Sequence, residues 1–529
     1  MCFISRLPTE SLEAIFIQRA CDYHSLLDGV PLPSAPSWVN VSYVCRRWRN
    51  VALNCPTLWS YLFIASPRWT EELLARSQQA PLKVYAKLYC DDMKRRDTGF
   101  VEQVMKHSEH IQELLLHLSS SDHEVLSKLS LPAPRLQHLK ITGGTSDSAV
   151  LFGGETPALR ALDLAGCRMP WYSLNLSRLT TLRLFAIPDQ FCQDMANFLH
   201  ALSRMQNLMH LYLKDALPSA VPFLTSRAFE TFRKFNLPCL SRLSIAAPAS
   251  TVIALLSCVN IPLQTEVRLD TRVEPGLSFH DYPPLSSLLA QRFGVSGDKA
   301  LSSPTIRSLV ITACNSGKGV AKFTFSESER DCEFYSLDSI VWGGKVSLQL
   351  ILALAATTTN DRNLIISHIC CPIPWSNVQS VHVIDPPSSQ AFWVHVLGYL
   401  QGLRYIKLSK GHMPNLASVL SVTPRDYTES YSDRGRNQEF IPELEELELY
   451  DIVFRTTQKG DIDPLKVTGV RSLCDALATR KESRGRLAMT QCIVRNANGE
   501  EKEFDMEGRW EGVISVFPSL FPLKLCAFV

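Results

Sequence analysis

Apolar residues along this chain recur in two rhythms, and the change between them divides it. Near the N-terminus the steps are three and four: Leu12, Ile15 and Phe16 follow Leu7-Pro8-Thr9-Glu10, and farther on come Val41, Val44, Cys45, Trp48, Val51 and Ala52. Both runs predict amphipathic helices. Pro8 and Glu10 suit a helix start, because proline lacks the N–H that would be unpaired there and a carboxylate favours the positive end of the dipole. Arg46, Arg47 and Arg49 fall opposite the apolar stripe of the second helix. Between the helices, residues 21–37 carry Gly29, Pro31, Pro33 and Pro36 and read as a loop. Asn54-Cys55-Pro56 stops the second helix, and Leu58, Trp59 and Leu62 add a third apolar cluster. A helical module of about sixty residues is marginal alone and leaves apolar surface for a partner.

From residue 110 or so the rhythm becomes apolar-x-x-apolar-x-apolar. Copies fall at Leu136-Leu139-Ile141, Leu159-Leu162-Leu164, Leu179-Leu182-Leu184, Leu208-Leu211-Leu213 and Leu240-Leu243-Ile245. An earlier one starts at Ile111 with Leu114 and Leu116. Later ones are Ile306-Leu309-Ile311, Val378-Val381-Val383, Leu403-Ile406-Leu408 and Leu444-Leu447-Leu449. This is the strand-bearing half of a leucine-rich repeat, and the early spacings fit its period of about 20–29 residues. The reading is an α/β fold: an irregular leucine-rich-repeat solenoid whose short strands add edge-on into a curved parallel sheet, the leucines stacking beneath. Later steps such as 403 to 444 are wider, and several copies lack the asparagine that usually follows the strand. Positions between the leucines point to the opposite face. There Lys140, Asp163, Arg183, Tyr212, Lys214, Tyr405 and Lys407 are the candidate partner-binding residues.

The helical start resembles a known family. Leu7-Pro8-x-Glu10-x-Leu12-x-x-Ile15-Phe16, then Val44-Cys45-Arg46-x-Trp48-Arg49-x-Val51-Ala52, then Pro56-x-Leu58-Trp59 is similar to the F-box of fungal F-box proteins. The resemblance implies a three-helix module that docks on the Skp-type adaptor of a cullin-RING ubiquitin ligase. It places Leu7, Pro8, Ile15, Phe16, Val44, Cys45 and Trp48 at that contact. The loop at residues 21–37 is longer than in the common form. The domain plan is therefore residues 1–65 as F-box, 66–105 as linker and first capping segment, 106–485 as repeat array and 486–529 as a C-terminal capping unit. The function implied is a non-catalytic substrate receptor of a Skp-cullin-F-box ligase holding an unknown protein substrate. The alternative is a repeat scaffold that binds a protein without marking it.

Composition narrows the alternatives. With 54 basic and 52 acidic residues the chain has no overall field to hold nucleic acid or an anionic membrane. The longest apolar stretches, 251–258 and 348–356, fall short of the roughly 18 residues a membrane span needs. The N-terminus lacks the apolar run of a secretory signal. The 16 cysteines form no C-x-x-C pair, so they point to a reducing cytoplasmic or nuclear setting and to no metal site. G-x-S-x-G, H-E-x-x-H and G-x-G-x-x-G are absent, and Gly317-Lys318-Gly319 lacks the remaining residues of a phosphate loop. No catalytic residue, metal or cofactor is expected.

Overall fold

The computed structural model describes residues 6–25, 36–64, 67–87, 99–119, 123–145, 150–168, 171–187, 194–218, 229, 231–262, 264–272, 308–312, 320–326, 346–353, 378–384, 393, 400, 402–412, 446–455, 486–489, 491–495 and 501–505. The chain folds as two compact units, residues 1–262 and 263–529.

The first unit opens with helix α1 (Thr9–Ser25), a 3-10 helix (Ser37–Tyr43), α2 (Arg46–Leu53) and α3 (Pro56–Trp59). Two boundaries differ from the sequence reading. Helix α1 continues through Cys21 and Tyr23, inside the stretch that the sequence reads as a loop, because Tyr23 has a packing partner in Tyr85. The second α-helix starts at Arg46 rather than near Val41, because Cys45 is extended and caps it. After α3 come β1 (Tyr61–Ile64), α4 (Pro67–Ser77), β2 (Leu82–Lys87), α5 (Gly99–Met105), β3 (Ile111–His117), α6 (His123–Ser127), β4 (His138–Thr142), β5 (Ala161–Ala165) and β6 (Thr181–Phe185). The unit finishes with α7 (Met195–Ser203), β7 (His210–Lys214), β8 (Phe235–Asn236), β9 (Arg242–Pro248), α8 (Ala249–Cys258) and β10 (Val259–Asn260).

Strands β1 to β7 and β9 pair in sequence order, every pair parallel. Segment 66–105, expected as linker and first cap, thus contributes strand β2, and the sheet begins fifty residues ahead of Ile111, at Tyr61. Register is maintained along the whole array: Leu114, Leu139, Leu162, Leu182, Leu211 and Leu243 are successive partners, as are Leu116, Ile141, Leu164, Leu184, Leu213 and Ile245. None of these side chains is more than 3% exposed. Each contributes about 2 kcal/mol of burial, and a slip of one residue would turn all of them outward.

A local grammar repeats with the leucines. Ahead of each strand an i to i−3 turn closes on a buried residue: Leu136 N–H donates to Ala133, Leu159 to Thr156, Leu179 to Leu176, Leu208 to Met205 and Leu240 to Leu237. After the strand a left-handed residue redirects the chain at Gly143, Gly166, Ala186 and Asp215. Its N–H continues the ladder, as Gly143 does to Ala165 and Ala186 to Lys214, both at 2.7 Å. Two of these left-handed residues are glycines, and Ala186 and Asp215 hold a positive φ that L side chains rarely adopt. The next residue, where the repeat pattern would set asparagine, is Gly144, Cys167, Ile187 or Ala216, and Cys167 Sγ donates to Ile141 C=O at 3.1 Å. Returning segments lie between the strands. Asp194 caps α7 by accepting from Asn197 N–H at 2.8 Å, and Phe198 of α7 meets Trp171 edge-on at 6.1 Å. Buried Val252, Ala254 and Leu255 belong to α8.

The second unit contains β11 (Glu266–Arg272), β12 (Ser308–Thr312), β13 (Val320–Ser326), β14 (Val346–Ala353), β15 (Ser380–Ile384), β16 (Tyr405–His412), β17 (Glu446–Arg455), β18 (Arg486–Met489), β19 (Gln491–Arg495) and β20 (Glu501–Asp505). Here the purely parallel expectation fails. Strand β13 runs antiparallel between β12 and β14, and β20 runs antiparallel to β19. The remainder is parallel, with Val381, Ile406 and Leu447 in one register row and Val383, Leu408 and Leu449 in the next. The pre-strand turn recurs as Leu403 N–H to Leu400, and Gln379 C=O accepts from both Arg404 and Tyr405, as Arg160 C=O does from Thr180 and Thr181. Ile306, Leu444, Gly317-Lys318-Gly319 and residues 506–529 of the expected capping unit lie outside the described residues.

Candidate functional site

Two surfaces of the first unit concern binding. In the helical bundle, α1 begins immediately after Pro8, whose carbonyl accepts the first helical bond from Leu12 N–H at 3.2 Å. Leu12, Phe16 and Ala20 are fully buried along one stripe, whereas Ile15 is 51% exposed. Phe16 holds the Trp48 ring at 5.0 Å, tilted by 56°. Cys45 Sγ accepts from Trp48 N–H at 3.4 Å and so caps α2. The Arg47 guanidinium donates to the Leu7 carbonyl, joining the start of α1 to α2, and Arg49 stacks 5.6 Å from the Tyr43 ring centre.

Beneath these, Trp59 is the anchor. Its Nε1–H donates to Ala52 C=O at 2.6 Å, its ring meets Trp38 edge-on at 5.4 Å, and the Arg76 guanidinium covers it at 4.3 Å. Burial pushes the neighbouring Cys55 thiol up.

Seven large apolar side chains are conspicuously exposed among the described residues, and four of them, Ile15, Tyr43, Val44 and Leu53, belong to this short bundle. Of the residues proposed for adaptor contact, Pro8, Ile15, Val44 and Cys45 are exposed, while Leu7 and Trp48 are half-buried. Phe16 is fully buried, so it has no surface to offer and acts by positioning Trp48. Sequence reasoning missed Tyr43 and Leu53. The 3-10 helix presents the former, and the latter sits on the last turn of α2.

Residues 4–65 match the F-box-like family. F-box domains generally bind Skp-type adaptors, and F-box proteins are generally non-catalytic adaptors. The matched segment takes in the whole of β1, so it is continuous with the first strand of the sheet. No curated protein matches the chain. Among the described residues no cluster suits a metal ion and no helix is long and apolar enough to cross a membrane.

The second surface is the outward face of the sheet. Strand pairing sets Lys140, Asp163, Arg183 and Tyr212 side by side in one row across β4, β5, β6 and β7. Lys214 stands two residues farther along β7, level with Phe185. Tyr405 and Lys407 lie in the second unit, level with Ser380 and His382 of β15 and Glu446 and Glu448 of β17. The seven proposed residues therefore form a group of five on one unit and a pair on the other.

In the row, Arg183 lies 3.8 Å from the Asp163 carboxylate and 5.1 Å from the Tyr212 ring centre. One row away, Lys83 meets Glu113 at 2.9 Å, and His138 follows Glu113 in register. Burial lowers the His138 pKa below its ordinary value, reinforced by Arg183 and Lys140 and opposed by Glu113 and Asp163. Burial also acts to lower Lys83, but the Glu113 hydrogen bond and charge outweigh it and the net shift is upward. The same row is closed at its start: Tyr85, level with Leu115 and only 1% exposed, is covered by Tyr23 of α1.

Proposed function

We propose that this chain is a non-catalytic substrate receptor of a Skp-cullin-F-box ubiquitin ligase, its F-box docking on the Skp-type adaptor and a leucine-rich-repeat array holding a protein substrate. The observation that carries the reading is the concentration of exposed apolar side chains, Ile15, Tyr43, Val44 and Leu53, on the segment that matches the F-box family. An apolar patch on a small bundle is the surface that a partner covers. The repeat reading is supported by the recurring turn, strand and left-handed residue, and by the in-register leucine ladder. The fungal character of the F-box rests on the residue pattern from Leu7 to Trp59. A cytoplasmic or nuclear setting fits the free, buried thiols of Cys55, Cys167 and Cys258, which pack as apolar groups.

The chemistry the receptor adds is proximity. Holding a target lysine beside a ubiquitin-charged enzyme raises its effective concentration without any reacting group in this chain. Co-purification of the full chain with a Skp-type adaptor tests the docking. Ile15→Glu with Val44→Glu replaces exposed apolar surface by charge and leaves the core intact, so adaptor recovery is expected to vanish while the circular dichroism melt is retained. Unchanged adaptor recovery from the double variant would overturn the reading. Ubiquitination of a captured partner in a reconstituted ligase separates the receptor from a scaffold that binds without marking.

A further inference from the structure

The chain as a whole is almost neutral, with 54 basic and 52 acidic residues, yet the outward face of its first sheet is not. At the outward strand positions from β2 to β9 stand six cations, Lys83, Lys87, Lys140, Arg183, Lys214 and Arg242, against two carboxylates, Glu113 and Asp163. Glu113 is already committed to Lys83 at 2.9 Å, whereas Arg183 and Asp163 meet only at 3.8 Å and the Arg183 side chain keeps 41% of its exposure. Lys214 and Arg242 are exposed.

The spacing says more than the sign. Adjacent strands lie about 4.8 Å apart, so Lys140 and Arg183, separated by one strand, stand roughly 10 Å from each other with Asp163 between them. That distance is about one turn of a polyproline II segment, three residues at roughly 3.1 Å each, whose side chains at i and i+3 point the same way. Tyr212 supports one face of the Arg183 guanidinium, whose planar edge meets Asp163 only at 3.8 Å and can take both oxygens of a carboxylate. The row opens at Lys140, because at its beginning Tyr85 is packed beneath Tyr23 of α1 and against Leu115. From β4 to β9 it crosses five strands, a span of about 19 Å that roughly six extended residues fill. A nucleic-acid strand suits this row poorly, since its evenly repeated phosphates would set one against Asp163.

We propose that this face captures an acidic segment of the protein substrate in the polyproline II conformation, laid across the strands, with Asp or Glu carboxylates at i and i+3 over Lys140 and Arg183 and a cation or hydrogen-bond donor between them over Asp163. The proposal rests on the receptor reading for the word substrate. Peptide binding by the chain without adaptor is measured separately from adaptor recovery, so failure of one is distinguishable from failure of the other.

Fluorescence anisotropy of the purified full chain is the test, with a labelled twelve-residue peptide carrying Glu-Lys-Ser-Glu at its centre. The probes beside it are the same peptide with Gln for both Glu, the same with phosphoserine for both Glu, and a single-stranded RNA of equal length. The Glu peptide is expected to bind and the Gln peptide to bind at least about tenfold more weakly, since each carboxylate supplies a charge-assisted bond. Arg183→Glu and Lys140→Glu are each expected to weaken the Glu peptide by about tenfold or more, and Arg183→Glu to prefer a peptide with Lys in place of the second Glu. Circular dichroism melts confirm that both variants are folded. Equal affinity for Glu and Gln peptides, binding only when phosphate is present, or tighter binding of the RNA would each overturn the proposal.

Discussion

Trp59→Ala removes the side chain on which the F-box and the start of the sheet both rest. Trp59 is fully buried, edge-on to Trp38 and capped by Arg76 of α4. Truncating a buried tryptophan costs about 3–5 kcal/mol through lost transfer energy and the cavity left behind. The edge-on ring pair and the guanidinium contact push toward the upper part of that range. The lost hydrogen bond adds little, because Ala52 C=O also accepts from Cys55 N–H at 3.3 Å and is not left unpaired. The expected loss is therefore about 4 kcal/mol. Trp59→Phe keeps a ring in place and is expected to cost about half as much.

Hydrogen exchange followed by mass spectrometry on the full chain reads this locally. Peptides spanning residues 51–62 are expected to lose protection about a thousandfold in Trp59→Ala, the equivalent of roughly 4 kcal/mol. Protection that falls less than about tenfold, or a Phe variant as damaged as the Ala variant, would refute the assignment of Trp59 as anchor.

Two other outcomes follow from the geometry. Gly143 has φ +75° and a Cβ there would sit 2.2 Å from Leu118 O, whose own N–H is fixed to Thr142, whereas Gly166 at φ +62° faces open space. In urea unfolding Gly143→Ala is expected to cost more than about 3 kcal/mol and Gly166→Ala only about 1, the strain alone; equal costs would sink this account. For His138 the folded-state pKa is lowered, so the native state favours the neutral ring and the unfolded chain takes up the proton first as pH falls. That contribution to stability is complete above about pH 6.5 and is lost below it, with a slope of at most about 1.4 kcal/mol per pH unit until the folded pKa is reached. Urea midpoints at pH 7.5 and 5.5 are expected to differ less in His138→Gln than in the parent, and an identical pH response in both would count against a depressed His138.

The leucine ladder was readable in advance because it obeys a local rule: one buried residue before the strand and two at alternate positions within it, as at Leu159, Leu162 and Leu164. Strands β1 and β2 break that rule. Tyr85 is buried on the outward side, under Tyr23, so β2 shows burial on both faces and loses its alternation for a reason about sixty residues away along the chain. The antiparallel β13 was equally hidden, since a strand's direction depends on partners that spacing does not name. In the bundle, helical periodicity marked Ile15 and Phe16 together as apolar, but only packing separates them into an exposed and a buried residue. The face of the sheet was legible residue by residue. That Lys140, Asp163, Arg183 and Tyr212 share one row followed from the strand register, with each repeat supplying one member.

Helix α1 carries Ile15 on its open side and, two turns later, the Tyr23 ring that seals Tyr85. In the receptor reading, one rigid rod therefore touches the ligase and walls off the cradle for the client. The separation between the two is set as by a ruler, not a leash. A client bound in the cradle would present only those lysines that lie within a narrow arc of the charged enzyme, so selectivity among its lysines would come from orientation as much as from affinity.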